Sequence, residues 1–197
     1  MRVSFCIPTH DGNARCQNYL FDIFHALSQQ TNKDFNVWIS DHSESNKVLD
    51  ACKEYADLFE INYIKNTKKY GNISANTNHA LQHADGDILK VLFSDDFILT
   101  CNLVAELDKA FTDDVHWAVT GYAHTVDDGH THYNPKIPYH NDKLLEGVNT
   151  LSSPSILALK RGIDMYFDED LTMLMDCDMY YLSLIHISEP TRLGMIS

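Results

Sequence analysis

The first half of the chain alternates short apolar runs with amphipathic stretches, and this alternation constrains the fold more than any other feature. Apolar runs typical of strands occupy residues 3–8, 35–40, 61–64 and 87–93. Between them, apolar residues recur three and four positions apart, as on a helix that packs against a sheet. Because the connections are short, the right-handed crossover rule places these strands in one parallel sheet. The predicted fold class is α/β, with a Rossmann-like, mostly parallel central sheet flanked by helices.

Each predicted helix presents apolar residues on one side, and those residues are expected to face the sheet. The third helix is expected to start at Ser74, whose hydroxyl would cap it, and to close at residues 85–86. The residues expected to face the core are Leu20, Ile23, Phe24, Leu27, Leu49, Cys52, Ala56, Phe59, Thr77, Ala80, Leu81, Ala84, Leu103, Val104, Leu107 and Phe111.

The size and charge of the chain limit its possible partners. A length of 197 residues with 44% hydrophobic residues is typical of one well-buried domain. The formal net charge of -13 repels the phosphates of nucleic acids and anionic membranes, so no nucleic-acid partner is expected. An anionic substrate would need a bound metal ion or a local basic patch.

The cysteines and the chain's apolar runs indicate its compartment. The five cysteines are scattered without a C-x-x-C pair, which argues against a disulfide framework and a zinc site. No signal peptide precedes the first predicted strand, and no apolar run reaches transmembrane length. The sequence therefore predicts a cytoplasmic location, at most peripheral to the inner face of the membrane.

Two common phosphate-binding motifs are missing from the sequence. No G-x-G-x-x-G follows the first predicted strand, and G-x-x-x-x-G-K-[ST] does not occur. The sequence therefore argues against a dehydrogenase and against a P-loop enzyme.

Two adjacent carboxylates, Asp95 and Asp96, directly follow the fourth apolar run. In open α/β sheets the ligand crevice lies beyond the carboxyl ends of the strands. Neighbouring carboxylates repel each other unless a cation or a proton is shared between them. A hard divalent cation that also holds a diphosphate is one interpretation. A solvated turn that caps the next helix is the other.

Polar loops also follow the earlier strands. Residues 9–13 form a turn cluster after the first strand, and Asp41 opens the loop after the second. The loop at residues 65–72, which contains Lys69, is rich in lysine and amide side chains. It could face a diphosphate or could simply be a solvated loop.

The pattern weakens in the second half of the chain. A strand is predicted at residues 117–122, a returning strand at 155–160 and a last helix at 171–181. Residues 124–140 are rich in His, Asp, Asn and Pro, which favours a hairpin or flap with polar tips over a transition-metal site. Residues 182–197 resemble the translation of a sequencing-library adapter, so the expected domain covers residues 1–181 and is truncated at its C-terminus.

Three segments, taken in order, give the sequence a family resemblance. Residues 3–11 end in Pro-Thr-His-Asp, residues 41–45 read Asp-His-Ser-Glu-Ser, and residues 71–81 precede the acidic strand. In this arrangement, from residue 3 to about 181, the chain resembles the inverting, metal-dependent glycosyltransferases of family 2. That resemblance implies the GT-A nucleotide-sugar-binding fold.

The resemblance implies a donor site built from the strand exits. Pro8, Thr9 and Asp41 would line the pocket for the nucleotide base and ribose, with Asp41 accepting hydrogen bonds from the base. The further residues expected to bind the nucleotide sugar are Lys69, Asn76, Ser94 and Asp95.

The same resemblance implies a metal site and a general base. Asp95, assisted by Asp96, would hold Mn²⁺ or Mg²⁺, while Phe93 occupies the family's first acidic position. Asp176, in Met-Asp-Cys-Asp, would be the general base, with Met175 in place of the usual Glu. Inverting transfer needs one carboxylate to take the proton of the acceptor hydroxyl.

The predicted function is therefore metal-dependent transfer of a sugar, with inversion, from a nucleoside diphosphate sugar to an acceptor hydroxyl. A UDP-sugar is the expected donor, and the acceptor would be a saccharide or a lipid-linked molecule in surface-polysaccharide assembly. The alternative is a non-catalytic nucleotide-sugar-binding or scaffold domain. A nucleotidyltransferase ranks last, because no Gly- and Arg-rich phosphate loop follows the first strand.

Overall fold

The computed structural model describes residues 1–12, 15–127, 129–171, 173–186 and 191–192, with the side chains of the last stretch and of residues 185–186 left out. In chain order the elements are β1 (Val3–Thr9), α1 (Cys16–Ser28), β2 (Phe35–Asp41), α2 (Lys47–Tyr55), β3 (Ile61–Lys65), α3 (Ile73–His83), β4 (Ile88–Val91), α4 (Leu103–Ala110), β5 (Trp117–Val119), β6 (Tyr122–His124), β7 (Tyr133–Lys136), 3-10 turns at Leu144–Glu146 and Pro154–Ile156, β8 (Leu157–Lys160), α5 (Met175–His186) and β9 (Thr191–Arg192).

A central sheet has the strand order β3-β2-β1-β4-β8-β5-β9. β1 pairs in parallel with β2 and β4, and β2 pairs in parallel with β3, whereas β8 runs antiparallel to both β4 and β5. Thr9, the last residue of β1, pairs with Asp41, the last residue of β2. The predicted mostly parallel sheet flanked by helices is confirmed, and the ends of β1, β2 and β4 lie side by side.

The two faces of the sheet carry separate apolar cores. Phe5 of β1 points into one core with α1, α2 and α4, and Cys6 points into the other with α3 and α5. This separation follows from the alternation of side chains along a strand.

The predicted inward faces of α1, α3 and α4 are buried as expected. The prediction for α2 was wrong in part, because the helix ends at Tyr55 and leaves Ala56 exposed, while Val48, Ala51 and Cys52 are buried. The cap of α3 was also wrong. Asn72, two residues before Ser74, accepts the backbone N–H of Ala75 at 2.8 Å, because it lies in an extended conformation just outside the helix.

The predicted strand at residues 117–122 is divided between two sheets. β5 belongs to the central sheet, and Tyr122 starts β6, which forms an antiparallel hairpin with β7. The expected hairpin at residues 124–140 is thus present. The returning strand begins later than predicted, because residues 154–156 form a 3-10 turn before β8.

The last helix continues past the predicted domain boundary at residue 181. α5 extends to His186, with Ser183 fully buried, and β9 pairs in parallel with β5. Residues 187–190 and 193–197 of the predicted adapter-like tail lie outside the described residues, and the origin of the tail stays a prediction. Among the described helices, none combines the length and the apolar character that a membrane span requires.

Candidate active site

A cavity of about 490 Å³ opens at the carboxyl ends of β1 and β4 and is called the donor cavity below. It brings together Pro8, Thr9, Asn76, Ser94 and Asp95 from the predicted site. All its lining residues are Pro8, Thr9, His10, Gly12, Cys16, Tyr19, His42, Gly71, Ile73, Asn76, Phe93, Ser94 and Asp95.

Asn76 fixes the floor of the donor cavity. Its amide nitrogen donates to the carbonyls of Thr9 at 3.1 Å and Ser40 at 3.0 Å. Its amide oxygen accepts from the Ser40 hydroxyl at 2.7 Å and from Asn66 at 3.2 Å. Because the side chain is 2% exposed, these bonds are protected from water and hold the ends of β1 and β2 in register with α3.

Asp41 is fully buried and is not one of the residues that line the donor cavity. One carboxylate oxygen accepts the Ser43 N–H at 2.8 Å and the Thr9 hydroxyl at 3.3 Å. The other accepts the Tyr63 hydroxyl at 2.7 Å and the Lys65 ammonium at 3.3 Å. In this arrangement Asp41 anchors Thr9, which does reach the cavity.

Lys69 lies outside the donor cavity and forms an ion pair with Glu169 at 2.8 Å. That carboxylate raises the pKa of the Lys69 ammonium. Lys65 pairs with Asp41 in the same way, so two lysines of the loop at residues 65–72 form ion pairs with carboxylates of this chain. The sequence analysis did not anticipate either partner.

Two rings that the sequence analysis missed, His10 and His42, line the donor cavity, and the Tyr70 ring packs against both. The Tyr70 ring lies 5.1 Å from that of His10 and 5.9 Å from that of His42. Burial lowers the pKa of His42, which favours a neutral, aromatic imidazole. The sequence positions of His10 and His42 could have identified them, since each directly follows a predicted site residue at the end of a strand, Thr9 or Asp41.

The acidic turn lies between the donor cavity and a second cavity. Asp95 is exposed and lines both, while Asp96 accepts the Ser153 hydroxyl at 3.2 Å. Although part of the Asp95 residue reaches solvent, surrounding protein atoms displace water from its carboxyl; this loss of solvent, and then repulsion from Asp96, raise the pKa of Asp95.

The described residues contain no cluster of three or more His, Cys, Asp or Glu side chains suited to a metal ion. Mg²⁺ is, however, commonly held by one or two carboxylates together with substrate phosphates. Loss of solvent is the larger cause of the raised pKa of Asp95, and repulsion from Asp96 is the second; a nearby cation would relieve that repulsion. The hard oxygen donors of Asp95 and Asp96 therefore fit a divalent cation completed by a diphosphate.

Lys90 is a buried cation that the sequence analysis treated as part of an apolar strand. It is 2% exposed, and its ammonium donates to the carbonyls of Val91 at 3.0 Å, Leu157 at 3.4 Å and Ser155. These bonds tie β4 to β8 behind the acidic turn. Burial lowers the pKa of Lys90 to about 7, and Asp96 opposes that shift.

Lys90→Met should remove a specific pH dependence of stability. Because the pKa of Lys90 falls from 10.5 to about 7, the unfolded chain binds more protons than the folded one between those values. The wild type therefore gains up to about 1.4 kcal/mol of unfolding free energy per pH unit in that window. The stability of Lys90→Met relative to the wild type should be highest near pH 6 and fall towards pH 9 in urea titrations.

The control for this prediction is Lys53→Met, which removes an exposed lysine paired with Asp50 at the surface. Its stability relative to the wild type should not vary with pH in that window. A difference between Lys90→Met and the wild type that stays constant from pH 6 to pH 9 would show that Lys90 is charged in the folded chain throughout.

Asp176 lies in the first turn of α5 and lines neither of the two cavities. Its carboxylate accepts the Asn149 amide at 2.6 Å and the Cys177 N–H at 2.9 Å. The same Asn149 amide donates to the Ser152 carbonyl at 3.0 Å, and its oxygen accepts the Ser152 N–H at 2.9 Å.

Ser152 adopts a left-handed conformation with φ 94, which side chains other than glycine rarely adopt. Ser152 and Ser153 line the second cavity. Asn149 thus stabilises this strained turn by hydrogen bonds and connects Asp176 to Ser152, which lines that cavity.

The comparisons identify the family. A sequence profile of glycosyl transferase family 2 matches residues 4–180. The chain therefore belongs to glycosyl transferase family 2. A search of curated proteins found no match.

Solved structures confirm the GT-A-like fold. The structure of S. aureus TarS 1-349 matches with a TM-score of 0.70 at 16% identity. The match covers 99% of this chain and 60% of the TarS chain. The same protein in complex with UDP has a TM-score of 0.71 at 17% identity, and the match covers 100% of this chain and 61% of the TarS chain. The mannosyltransferase PcManGT from Pyrobaculum calidifontis, in complex with GDP-Man and Mn²⁺, has a TM-score of 0.61 at 16% identity. The match covers 96% of this chain and 55% of the mannosyltransferase chain. The chain thus spans about three fifths of the TarS 1-349 structures.

Proposed function

We propose that the chain transfers a sugar, with inversion, from a nucleoside diphosphate sugar to an acceptor hydroxyl. The observation that carries the proposal is the meeting of Thr9, Asn76, Ser94 and Asp95 at one cavity beyond the ends of parallel strands. Family membership supports the same class of reaction. The proposed cytoplasmic location rests on the cysteine usage and apolar runs of the sequence, and a role in surface-polysaccharide assembly is carried over from the family resemblance alone.

The donor cavity suits both a nucleotide and a charged group. The rings of His10, His42 and Tyr70 offer flat faces on which a base can stack. Ser94 and Asp95 also line this cavity. The similar solved structures are complexes with UDP, UDP-GlcNAc or GDP-Man, and we propose a UDP-sugar as the donor here.

The proposed metal site consists of Asp95 with Asp96 assisting, and the ion would be Mn²⁺ or Mg²⁺. When bound, the ion would neutralise charge that develops on the leaving diphosphate. The mannosyltransferase relative contains Mn²⁺. In this chain Ser153 orients Asp96 by a hydrogen bond, which leaves the exposed Asp95 as the main ligand.

Asp176 is the proposed general base. In one displacement the acceptor oxygen forms a bond to the anomeric carbon while the bond from that carbon to the diphosphate oxygen breaks. The electron pair leaves with the nucleoside diphosphate, and the hydroxyl proton passes to the Asp176 carboxylate. Asn149 holds that carboxylate and connects it to Ser152 at the second cavity.

A non-catalytic nucleotide-sugar-binding domain is the second candidate. Phe93 in place of an acid and the position of Asp176 outside both cavities favour it. Release of UDP from UDP-GlcNAc and from UDP-glucose, with and without Mn²⁺, distinguishes the candidates. We expect Mn²⁺-dependent UDP release. Nucleotide binding without release from either donor would favour the binding domain.

A further inference from the structure

The second cavity, of about 410 Å³, lies between the acidic turn and the β6–β7 hairpin and is called the hairpin cavity. Asp95 forms part of its wall as well as part of the donor cavity's wall. A molecule in the hairpin cavity would therefore lie beside the carboxylate that we propose to hold the diphosphate. Its volume is within the range of small-molecule sites.

The hairpin supplies aromatic rings to this cavity. The ring of Tyr122 lies 5.5 Å from that of His124, and His124 lies 5.9 Å from Tyr133. Tyr122 and His124 line the cavity, and His124 is exposed. These flat rings provide apolar faces and also carry groups that can form hydrogen bonds.

The tip of the hairpin packs next to the acidic turn. Gly129 has φ +86, and a Cβ placed on it would lie 3.3 Å from the Phe97 ring. Phe97 follows Asp96 in the chain and also lines the cavity. This close approach and the positive φ both favour glycine at the tip of the hairpin.

The lining combines aromatic faces with hydroxyl and carboxylate groups. Ser152 and Ser153 also line the cavity, and the Ser153 hydroxyl donates to Asp96. A pyranose has the matching chemistry, since its C–H faces are apolar and its edge carries hydroxyls. Lys90 is the only lysine or arginine among the described lining residues, and its ammonium is engaged with three carbonyls. A neutral sugar is therefore favoured over an anionic one beside Asp95 and Asp96.

We propose that the hairpin cavity binds a neutral saccharide acceptor, with a pyranose ring stacked on the exposed His124 and in edge contact with Tyr122, whose ring is at 86° to that of His124. This proposal rests on the proposed function, because it assigns the acceptor to the reaction described above. It places donor and acceptor on the two sides of Asp95. Asn149 connects Asp176 to the Ser152 rim of the same cavity.

The test is saturation-transfer NMR of the full chain with methyl β-D-glucopyranoside and methyl N-acetyl-β-D-glucosaminide. We expect saturation of the ring protons of at least one glycoside. His124→Ala, and Tyr122→Leu if it folds by circular dichroism, should reduce that signal by about three- to tenfold. Tyr139→Ala removes a ring of 53% exposure outside the cavity and should leave the signal unchanged.

Calorimetry with UDP on the same variants separates this proposal from the proposed function. UDP binding should be equal in the wild type, His124→Ala and Tyr139→Ala. The saccharide site would be overturned if neither glycoside shows saturation, or if His124→Ala gives the same signal as the wild type. It would also be overturned if the chain binds glucuronate more strongly than the two neutral glycosides, or binds only phosphatidylglycerol vesicles. Glycoside binding that depends on His124 in a chain that does not bind UDP would support the saccharide site and contradict the proposed function.

Discussion

Asp95→Asn is expected to lower sugar transfer about a thousandfold and to remove the Mn²⁺ dependence of UDP binding. The substitution keeps the size of the side chain and one acceptor oxygen, but it removes the negative charge where Asp95 lines both cavities. UDP release and calorimetry with and without Mn²⁺ measure the two effects.

The matched control is Asp57→Asn, which neutralises an exposed carboxylate in the turn before β3. This turn lies at the amino ends of the parallel strands, away from the donor cavity at their carboxyl ends. It should leave both quantities unchanged. If Asp95→Asn retains transfer and its Mn²⁺ response, Asp95 is not the metal ligand and the site must be assigned elsewhere.

Asp176→Asn is expected to reduce transfer by about 100- to 10,000-fold while UDP binding stays at the wild-type level. The amide cannot take a proton from the acceptor hydroxyl, but Asp176 lies outside the donor cavity. Turnover and calorimetry on the same preparation separate the chemical step from binding.

Asp178→Asn is the control for this variant, because it removes the next carboxylate on the same turn of α5 and in a partly buried position. It should retain transfer. Loss of both UDP binding and transfer in Asp176→Asn, with thermal stability lowered, would instead indicate that the contact with Asn149 is purely structural.

The sheet could be predicted because its signals are local. Strand and helix periods appear within a few residues, and short connections allow only one handedness of crossover. The same reasoning identified Thr9 and Asp95, because the carboxyl ends of parallel strands meet at one edge. The error in α2 arose because periodicity does not locate the last turn of a helix.

The partners of the charged site residues could not be predicted, because they depend on contacts between distant parts of the chain. Lys69 pairs with Glu169, and Asp176 is held by Asn149. Neither pair has a spacing that a helix or strand period would reveal. The buried Lys90 was missed for the same reason, since its acceptors Ser155 and Leu157 come from a 3-10 turn and the strand β8 much later in the chain.

The most direct test of the account is a titration of the ¹⁵N-labelled chain with UDP, followed through backbone amide shifts. The account predicts the largest changes around the donor cavity, at Thr9, Gly12, Gly71 and Ser94. The largest changes at the amino ends of the parallel strands, around Asp57, would contradict a nucleotide site at the strand exits.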